Sequence, residues 1–219
     1  MYKYLLFDLD GTLTESGPGI INAARFALDH YGIDGGSNDD LSKFIGPPLK
    51  DSFMRFYGFD EEKAIEAIVW FRKYYNTQGW CENSPYPGVP EMLKELKDCG
   101  YRLIVATSKI ETQALRICSH FGIDCFLDDI VGSDDGSRSK KDDVIRYVLE
   151  KNKVSDLSQA IMIGDREHDI FGAKAVGLKS MGVLYGYGNR EELEAAGADI
   201  IVERVGDITR YFNHDLTCI

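Results

Sequence analysis

Two aspartates stand two residues apart at the end of an apolar run near the start of the chain. The segment 4–7 is apolar, Asp8 and Asp10 follow it, and Gly11 opens a turn. An apolar run bounded by a turn predicts a buried strand, and open parallel sheets bind ligands at the carboxyl ends of their strands. Adjacent carboxylates repel each other unless a metal, a proton or a cation compensates them. The pair therefore predicts a site where charge is compensated in one of these ways.

Three later segments carry polar residues that suit the same region of a sheet. In chain order they are Thr107, Ser108 and Lys109 after the apolar run 103–106, Arg138 and Lys141 in a basic turn, and Asp165 and Asp169 after the apolar run 160–163. The residue types thus follow one another as acid pair, hydroxyl, lysine and acid pair. One such segment would carry little information, whereas four in this order are a specific pattern.

The four segments resemble the four motifs of the haloacid dehalogenase (HAD) superfamily of phosphatases. Those motifs are DxD, a Thr or Ser after a hydrophobic strand, a Lys, and GDxxxD, and they occur here in order over nearly the whole chain. The segments FDLDGTL at 7–13 and GVLYGYG at 182–188 further resemble the phosphoglycolate-phosphatase-like branch. The resemblance implies phosphoryl transfer through an aspartyl-phosphate intermediate.

The resemblance also implies a role for each matching residue. Asp8 would be the nucleophile and a metal ligand, because carboxylate attack on phosphorus splits hydrolysis into two easier steps. Asp10 would be the general acid and base, and its backbone carbonyl would bind the metal. Thr107 would bind a phosphoryl oxygen, and Lys141 would neutralise charge in the transition state. Lys140 is the alternative to Lys141 for this last role.

Asp165 and Asp169 would complete a metal site made of oxygen ligands. Together with Asp8 and Asp10 they form the hard donor set that suits Mg²⁺, which is the predicted cofactor. Asp169 either binds the metal, supports Lys141 or caps the following helix, and these roles are compatible. The residues predicted to contact the phosphate or the rest of the substrate are Gly11, Thr107, Ser108, Lys109, Arg138 and Glu15.

Apolar periodicity divides the chain into two regions around these motifs. Residues 15–80 have helical spacing without a strand signal, whereas the chain from residue 81 alternates between helix and strand. Such alternation predicts right-handed crossovers and a parallel sheet. We therefore expect an α/β fold: a Rossmann-like catalytic core with a mostly parallel sheet, made of residues 1–14 and 81–219, and a helical cap domain, residues 15–80, inserted after the first strand.

Composition limits the partners of the protein. The formal net charge of −11 argues against binding to nucleic acid or an anionic membrane, which needs a basic face. No apolar stretch is long enough to cross a bilayer. Five cysteines without a CxxC motif predict reduced thiols in a cytoplasmic protein. We expect a small phosphate ester as substrate and a monomer or weak dimer.

The sequence therefore predicts a Mg²⁺-dependent phosphatase for small organic phosphate monoesters, with 2-phosphoglycolate as the first candidate substrate. A 5′-nucleotidase, or a sugar-phosphate phosphatase or mutase of the same superfamily, is the alternative. A different class of protein, a non-enzymatic phospho-acceptor switch similar to a response-regulator receiver, also combines acids, a hydroxyl and a lysine. The Asp10-Gly11-Thr12 signature and the predicted cap argue against that class.

Overall fold

The chain forms two compact units in the computed structural model, which describes residues 1–134 and 136–216. One unit joins Met1–Thr14 to the chain from Pro85 onward, and the other is Glu15–Ser84. Residues 81–84, expected in the first unit, belong to the second. The roles of the two units as catalytic core and cap stay predictions.

The first unit is built around a parallel sheet. Its strands are β1 (Tyr4–Phe7), β2 (Arg102–Ile110), β3 (Asp129–Ser133), β4 (Ala160–Gly164), β5 (Lys179–Val183) and β6 (Ile200–Val202). Their order across the sheet is β3-β2-β1-β4-β5-β6, and each neighbouring pair is parallel. The sheet grows in one direction from β1 to β3 and in the other from β4 to β6. The carboxyl ends of β1 and β4 therefore flank the switch point where open α/β sheets bind ligands.

The second unit is helical throughout its regular structure. Its helices are α1 (Gly17–His30), α2 (Asn38–Ser42), α3 (Leu49–Tyr57) and α4 (Glu61–Tyr74), and a π-helical turn, Tyr75–Gly79, follows. Helix α4 packs against both α1 and α3. Phe53 and Phe71 are buried in this unit, whereas Phe56 and Trp70 are only partly buried.

Helices of the first unit alternate with its strands. They are α5 (Val89–Asp98), α6 (Glu111–His120), α7 (Lys141–Lys151), α8 (Glu167–Val176), α9 (Arg190–Ala196) and α10 (Val205–Leu216). Helix α7 packs against β2 and β3, and α8 packs against β4, β5 and α7. The predicted α/β fold with a mostly parallel sheet is thereby confirmed.

Strand β1 is apolar because helices and neighbouring strands enclose it. Its residues Leu5, Leu6 and Phe7 are fully buried, which is typical of parallel strands covered on both faces. Leu6 lies in a core cluster that includes Ile104 of β2 and Met162 of β4. The strand that presents Asp8 is therefore held from both sides.

Two elements differ from the sequence prediction. Strand β2 continues to Ile110, beyond the apolar run 103–106 from which it was expected, with an irregular register against β3 beyond Ala106. Polar side chains can occupy an extended strand as well as a loop, so the change from apolar to polar residues after Ala106 did not mark the end of β2. Helix α10 was not predicted, although Asp207 accepts a hydrogen bond from the Arg204 N–H at its start, a recognisable capping signal.

None of the described helices combines the length and the apolar character needed to cross a lipid bilayer. The described cysteines, Cys81, Cys99, Cys118 and Cys125, are free thiols. The fifth, Cys218, lies outside the described residues.

Shortening Leu6 tests the core under the predicted site. Leu6→Ala removes buried methyl groups and leaves a cavity, so we expect the free energy of unfolding to fall by about 2–5 kcal/mol. The matched change Leu115→Ala alters a side chain that is 46% exposed, and we expect it to change stability by no more than about 0.5 kcal/mol. Urea denaturation measures both, and equal effects would contradict the assigned core.

Candidate active site

A buried lysine joins two of the predicted acidic residues. Lys141, the first residue of α7, is 7% exposed. Its Nζ lies 2.7 Å from Asp8 Oδ1 and 2.8 Å from Asp169 Oδ1, and it also donates to the carbonyl of Ala106 at 3.1 Å. The ammonium group therefore donates hydrogen bonds to Asp8 and to the Ala106 carbonyl, and its charge is paired with both aspartates. The alternative, Lys140, is exposed.

Asp169 serves two neighbours at once. Its Oδ1 faces Lys141, and its Oδ2 accepts a hydrogen bond of 3.1 Å from the N–H of Arg166, just before α8. This second contact satisfies one backbone donor at the helix start. Asp169 thus contacts the lysine, as one of its foreseen roles requires, but it is the third residue of α8 and not the N-cap, which is Arg166.

Three carboxylates converge beside this lysine. Asp8, Asp165 and Asp169 each offer an oxygen atom within 4.8 Å of the others, and all three residues are buried. They come from the end of β1, the end of β4 and the first turn of α8. An oxygen-only donor set of this kind fits Mg²⁺.

The pKa shifts of these carboxylates also fit a site that binds a cation. Burial raises the pKa of Asp165 well above its ordinary value, and the nearby Asp169 and Asp8 carboxylates act in the same direction. Burial also raises the pKa of Asp8, although the Lys141 ammonium opposes that shift. For Lys141, burial alone would lower the pKa, but Asp169 and Asp8 raise it above its ordinary value. A divalent cation bound here would favour the ionised carboxylates.

A count of formal charges leads to the same conclusion. When all are ionised, the acids carry four negative charges and the lysines two positive charges, so two negative charges remain for a divalent cation to cancel. The groups counted are Asp8, Asp10, Asp165, Asp169, Lys109 and Lys141.

Asp10 is paired with a lysine of its own. Lys109 Nζ lies 2.8 Å from Asp10 Oδ2, and the two side chains are 9% and 14% exposed. Asp10 Oδ1 is buried and has no hydrogen-bond partner among the described residues. A buried oxygen without a partner is costly in a folded protein and points to a functional position.

The hydroxyl of Thr107 is oriented by its own strand. Thr107 is 1% exposed, and its Oγ1 accepts a hydrogen bond of 3.2 Å from the Lys109 N–H. The hydroxyl proton is thereby left to donate to another acceptor, as a phosphate-binding role requires. Ser108, the residue between them, is exposed.

The remaining predicted binding residues have other surroundings. Arg138 forms ion pairs with Glu111 at 3.3 Å and with Asp134 at 3.4 Å. A phosphate contact by Arg138 would therefore compete with two carboxylates. Glu15 belongs to the helical unit, and its contact with a substrate stays a prediction.

Both oxygens of Asp165 are held by residues to which the sequence analysis gave no role. Thr12 Oγ1 donates to Oδ1 at 3.4 Å, and the N–H of Tyr187 donates to Oδ2 at 2.8 Å. Gly11 has φ +86°, and a Cβ there would meet the Asp165 carboxylate. The glycines around Tyr187 were a signal for this close approach, since a residue without Cβ lets backbone and carboxylate meet.

Comparison with known proteins agrees with this geometry. A sequence model of the family described as "Haloacid dehalogenase-like hydrolase" matches residues 5–183. A 5′-nucleotidase of Pseudomonas aeruginosa is 43% identical over 195 residues, which cover 89% of this chain and 88% of that protein. The tyrosine-protein kinase PtkA of Mycobacterium tuberculosis is 39% identical over 200 residues, 91% of this chain and 68% of that one.

Solved structures extend the similarity to the whole fold. The crystal structure of a predicted phosphatase from Clostridium acetobutylicum superposes with a TM-score of 0.94 at 46% sequence identity, covering 98% of this chain and 99% of that one. Sequence motifs, sheet topology and the buried lysine between two aspartates lead to one assignment. The chain belongs to the haloacid dehalogenase-like hydrolases and is a phosphatase of that superfamily.

Proposed function

We propose that the protein is a Mg²⁺-dependent phosphatase that hydrolyses small phosphate monoesters through an aspartyl-phosphate on Asp8. The observation that carries this proposal is the Lys141 ammonium held between Asp8 and Asp169, with Asp165 beside them. A fixed cation next to a carboxylate nucleophile suits phosphoryl transfer, in which positioning and electrostatics supply most of the catalysis.

In the first step, a carboxylate oxygen of Asp8 attacks the phosphorus atom. A bond forms between that oxygen and phosphorus, and the phosphorus–oxygen bond of the ester breaks. The leaving oxygen takes a proton from the carboxylic acid of Asp10. Lys141 offsets the negative charge shared by Asp8 and the phosphoryl group, and the Thr107 hydroxyl donates to a phosphoryl oxygen.

In the second step, a water molecule attacks the phosphorus atom of the aspartyl-phosphate. Asp10 accepts the proton of this water, the bond between Asp8 and phosphorus breaks, and inorganic phosphate leaves. Asp10 has to exchange a proton with a reacting oxygen in both steps. Its buried Oδ1, which lacks a partner among the described residues, supports this role.

The metal site proposed here uses Asp8, Asp165 and the backbone carbonyl of Asp10. Mg²⁺ bound there would supply positive charge that orients the phosphoryl group and stabilises its transferring form. Asp169 supports the site by holding Lys141, since one of its oxygens faces that ammonium.

For the substrate, we propose nucleoside 5′-monophosphates first and 2-phosphoglycolate second. This reverses the order that the sequence motifs favoured, because a relative with 43% identity over most of both chains is named a 5′-nucleotidase.

Replacing the nucleophile is the direct test. We expect Asp8→Asn to lower kcat by at least about 10³-fold, because the amide keeps the shape of the side chain but cannot form the acyl phosphate. The measurement is phosphate release from a panel of nucleoside 5′-monophosphates, 2-phosphoglycolate and sugar phosphates. Treatment with EDTA should abolish turnover by the wild type, and excess Mg²⁺ should restore it.

The matched control for this change is Asp98→Asn. Asp98 is exposed and pairs with Lys94 on α5, so this variant should keep the wild-type kcat. Undiminished turnover by Asp8→Asn would rule out the aspartyl-phosphate mechanism, and full activity in EDTA would rule out the metal.

Crowding Lys141 tests its position separately from its charge. A Cβ at Gly172 of α8 would lie 2.7 Å from Lys141 Cγ and 3.0 Å from its Cβ, so Gly172→Ala must displace the stem of the lysine. We expect kcat to fall about 10- to 100-fold, since small misplacements of catalytic groups are costly. Steady-state kinetics measures this loss.

Gly206→Ala is the control for this second change. Gly206 is also helical, in α10, and a Cβ there would meet nothing within 4 Å. This variant should keep the wild-type kcat, because the added methyl group displaces no neighbouring side chain. A Gly172→Ala enzyme with wild-type kcat would show that the position of Lys141 is not critical.

A further inference from the structure

The segment after β5 lies against the acidic cluster. We call residues 184–188 the tyrosine strap. A Cβ at Gly186 would meet the carbonyl oxygen of Gly11 and the side chain of Asp165, and a Cβ at Gly188 would meet the backbone carbonyl of Asp165. The strap therefore touches both the turn after β1 and the loop after β4, and its glycines permit that approach.

Tyr185 reaches from the strap to the turn after Asp10. Its hydroxyl donates a hydrogen bond of 3.0 Å to the backbone carbonyl of Thr12. Its ring packs edge-on against Tyr86 at 5.2 Å, and the N–H of Tyr86 donates to the next carbonyl, that of Leu13, at 3.1 Å. Two consecutive carbonyls of the turn are thus held, and the phenol itself is fixed by an aromatic neighbour.

The same turn acts on Asp165 through its side chain. Thr12 is fully buried, and its Oγ1 donates to Asp165 Oδ1, whereas the strap's own Tyr187 N–H donates to Asp165 Oδ2. The strap therefore contacts Asp165 Oδ2 directly and is linked to Asp165 Oδ1 through Thr12. Groups that orient a metal ligand in this way contribute to metal affinity although they do not touch the metal.

We propose that Tyr185 is a positioning residue whose hydroxyl holds Thr12 and so orients Asp165 for the metal. The consequence for metal binding rests on the proposed function, in which Asp165 is a Mg²⁺ ligand. The consequence for the turn does not, because the contact from Tyr185 to Thr12 needs no metal.

Tyr185→Phe removes only the hydroxyl. In the metal-free protein we expect the amides of residues 11–14 to exchange with deuterium about fivefold faster, the effect of losing one hydrogen bond. We also expect the dissociation constant for Mg²⁺, measured by calorimetry, to rise about tenfold, the lower end of the range for such supporting groups. The KM for the phosphate ester at saturating Mg²⁺ should stay within about twofold.

Tyr101→Phe is a matched control. The Tyr101 hydroxyl also donates to a backbone carbonyl, that of Phe212, at 3.0 Å, but its partner lies in α10. Its removal should lower thermal stability without changing the Mg²⁺ dissociation constant or the exchange of residues 11–14. An effect common to both variants would mean that Tyr185 only stabilises the fold, and would overturn the proposal.

A double-mutant cycle tests whether Tyr185 acts through Thr12. Thr12→Val keeps the shape of the side chain and removes its donor to Asp165. If the proposal is correct, adding Tyr185→Phe to Thr12→Val raises the Mg²⁺ dissociation constant no further, whereas independent effects would multiply and overturn it.

The outcomes separate this proposal from the proposed function. If the wild type binds no Mg²⁺, the proposed function fails, and the exchange of residues 11–14 still decides whether Tyr185 positions the turn. If the wild type binds Mg²⁺ and Tyr185→Phe binds it equally well, the positioning role fails and the proposed function stands.

Discussion

The candidate active site depends on one buried ammonium group. Lys141 donates to Asp8 and to the carbonyl of Ala106 and forms an ion pair with Asp169; these groups lie on or beside β1, β2 and α8. Removing charges from water costs several kcal/mol for each ion, so a buried ion cluster of this kind is weak evidence for stability. These contacts form only because the fold brings two carboxylates and one backbone carbonyl, from separate elements, to the same point. Their arrangement is therefore better explained by the proposed role of Asp8 as a nucleophile beside a fixed cation.

The same constraint accounts for the surroundings of the other acids. Asp10 has Lys109 as an ion-pair partner, whereas the described hydrogen bonds to Asp165 come from neutral donors, the Thr12 hydroxyl and the Tyr187 N–H. Neutral donors orient a carboxylate without cancelling its charge, which leaves the site with the excess negative charge that a divalent cation would balance.

The alternation of helix and strand was enough to predict the parallel sheet, and the apolar runs before the acids were enough to place them at the ends of β1 and β4. These patterns were not enough to predict where β2 ends, because Thr107 and Lys109 carry polar side chains on a strand that continues to Ile110. Nor did polarity reveal that Arg138 pairs with Glu111 and Asp134. A basic residue in a turn has the same sequence signature whether its partner is a phosphate or a carboxylate.

The sequence alone predicted the residue types with reactive groups and the strands that end beside them, because apolar periodicity and turn residues are local properties. The three-dimensional structure was needed to show that Lys141 contacts Asp8 whereas Lys140 is exposed, since the two lysines are adjacent in the chain and have the same side chain. The fold alone also shows that the Tyr185 hydroxyl contacts the Thr12 carbonyl. That contact joins positions 173 residues apart, and no local pattern encodes such a distance, because the path of the chain through the sheet sets it.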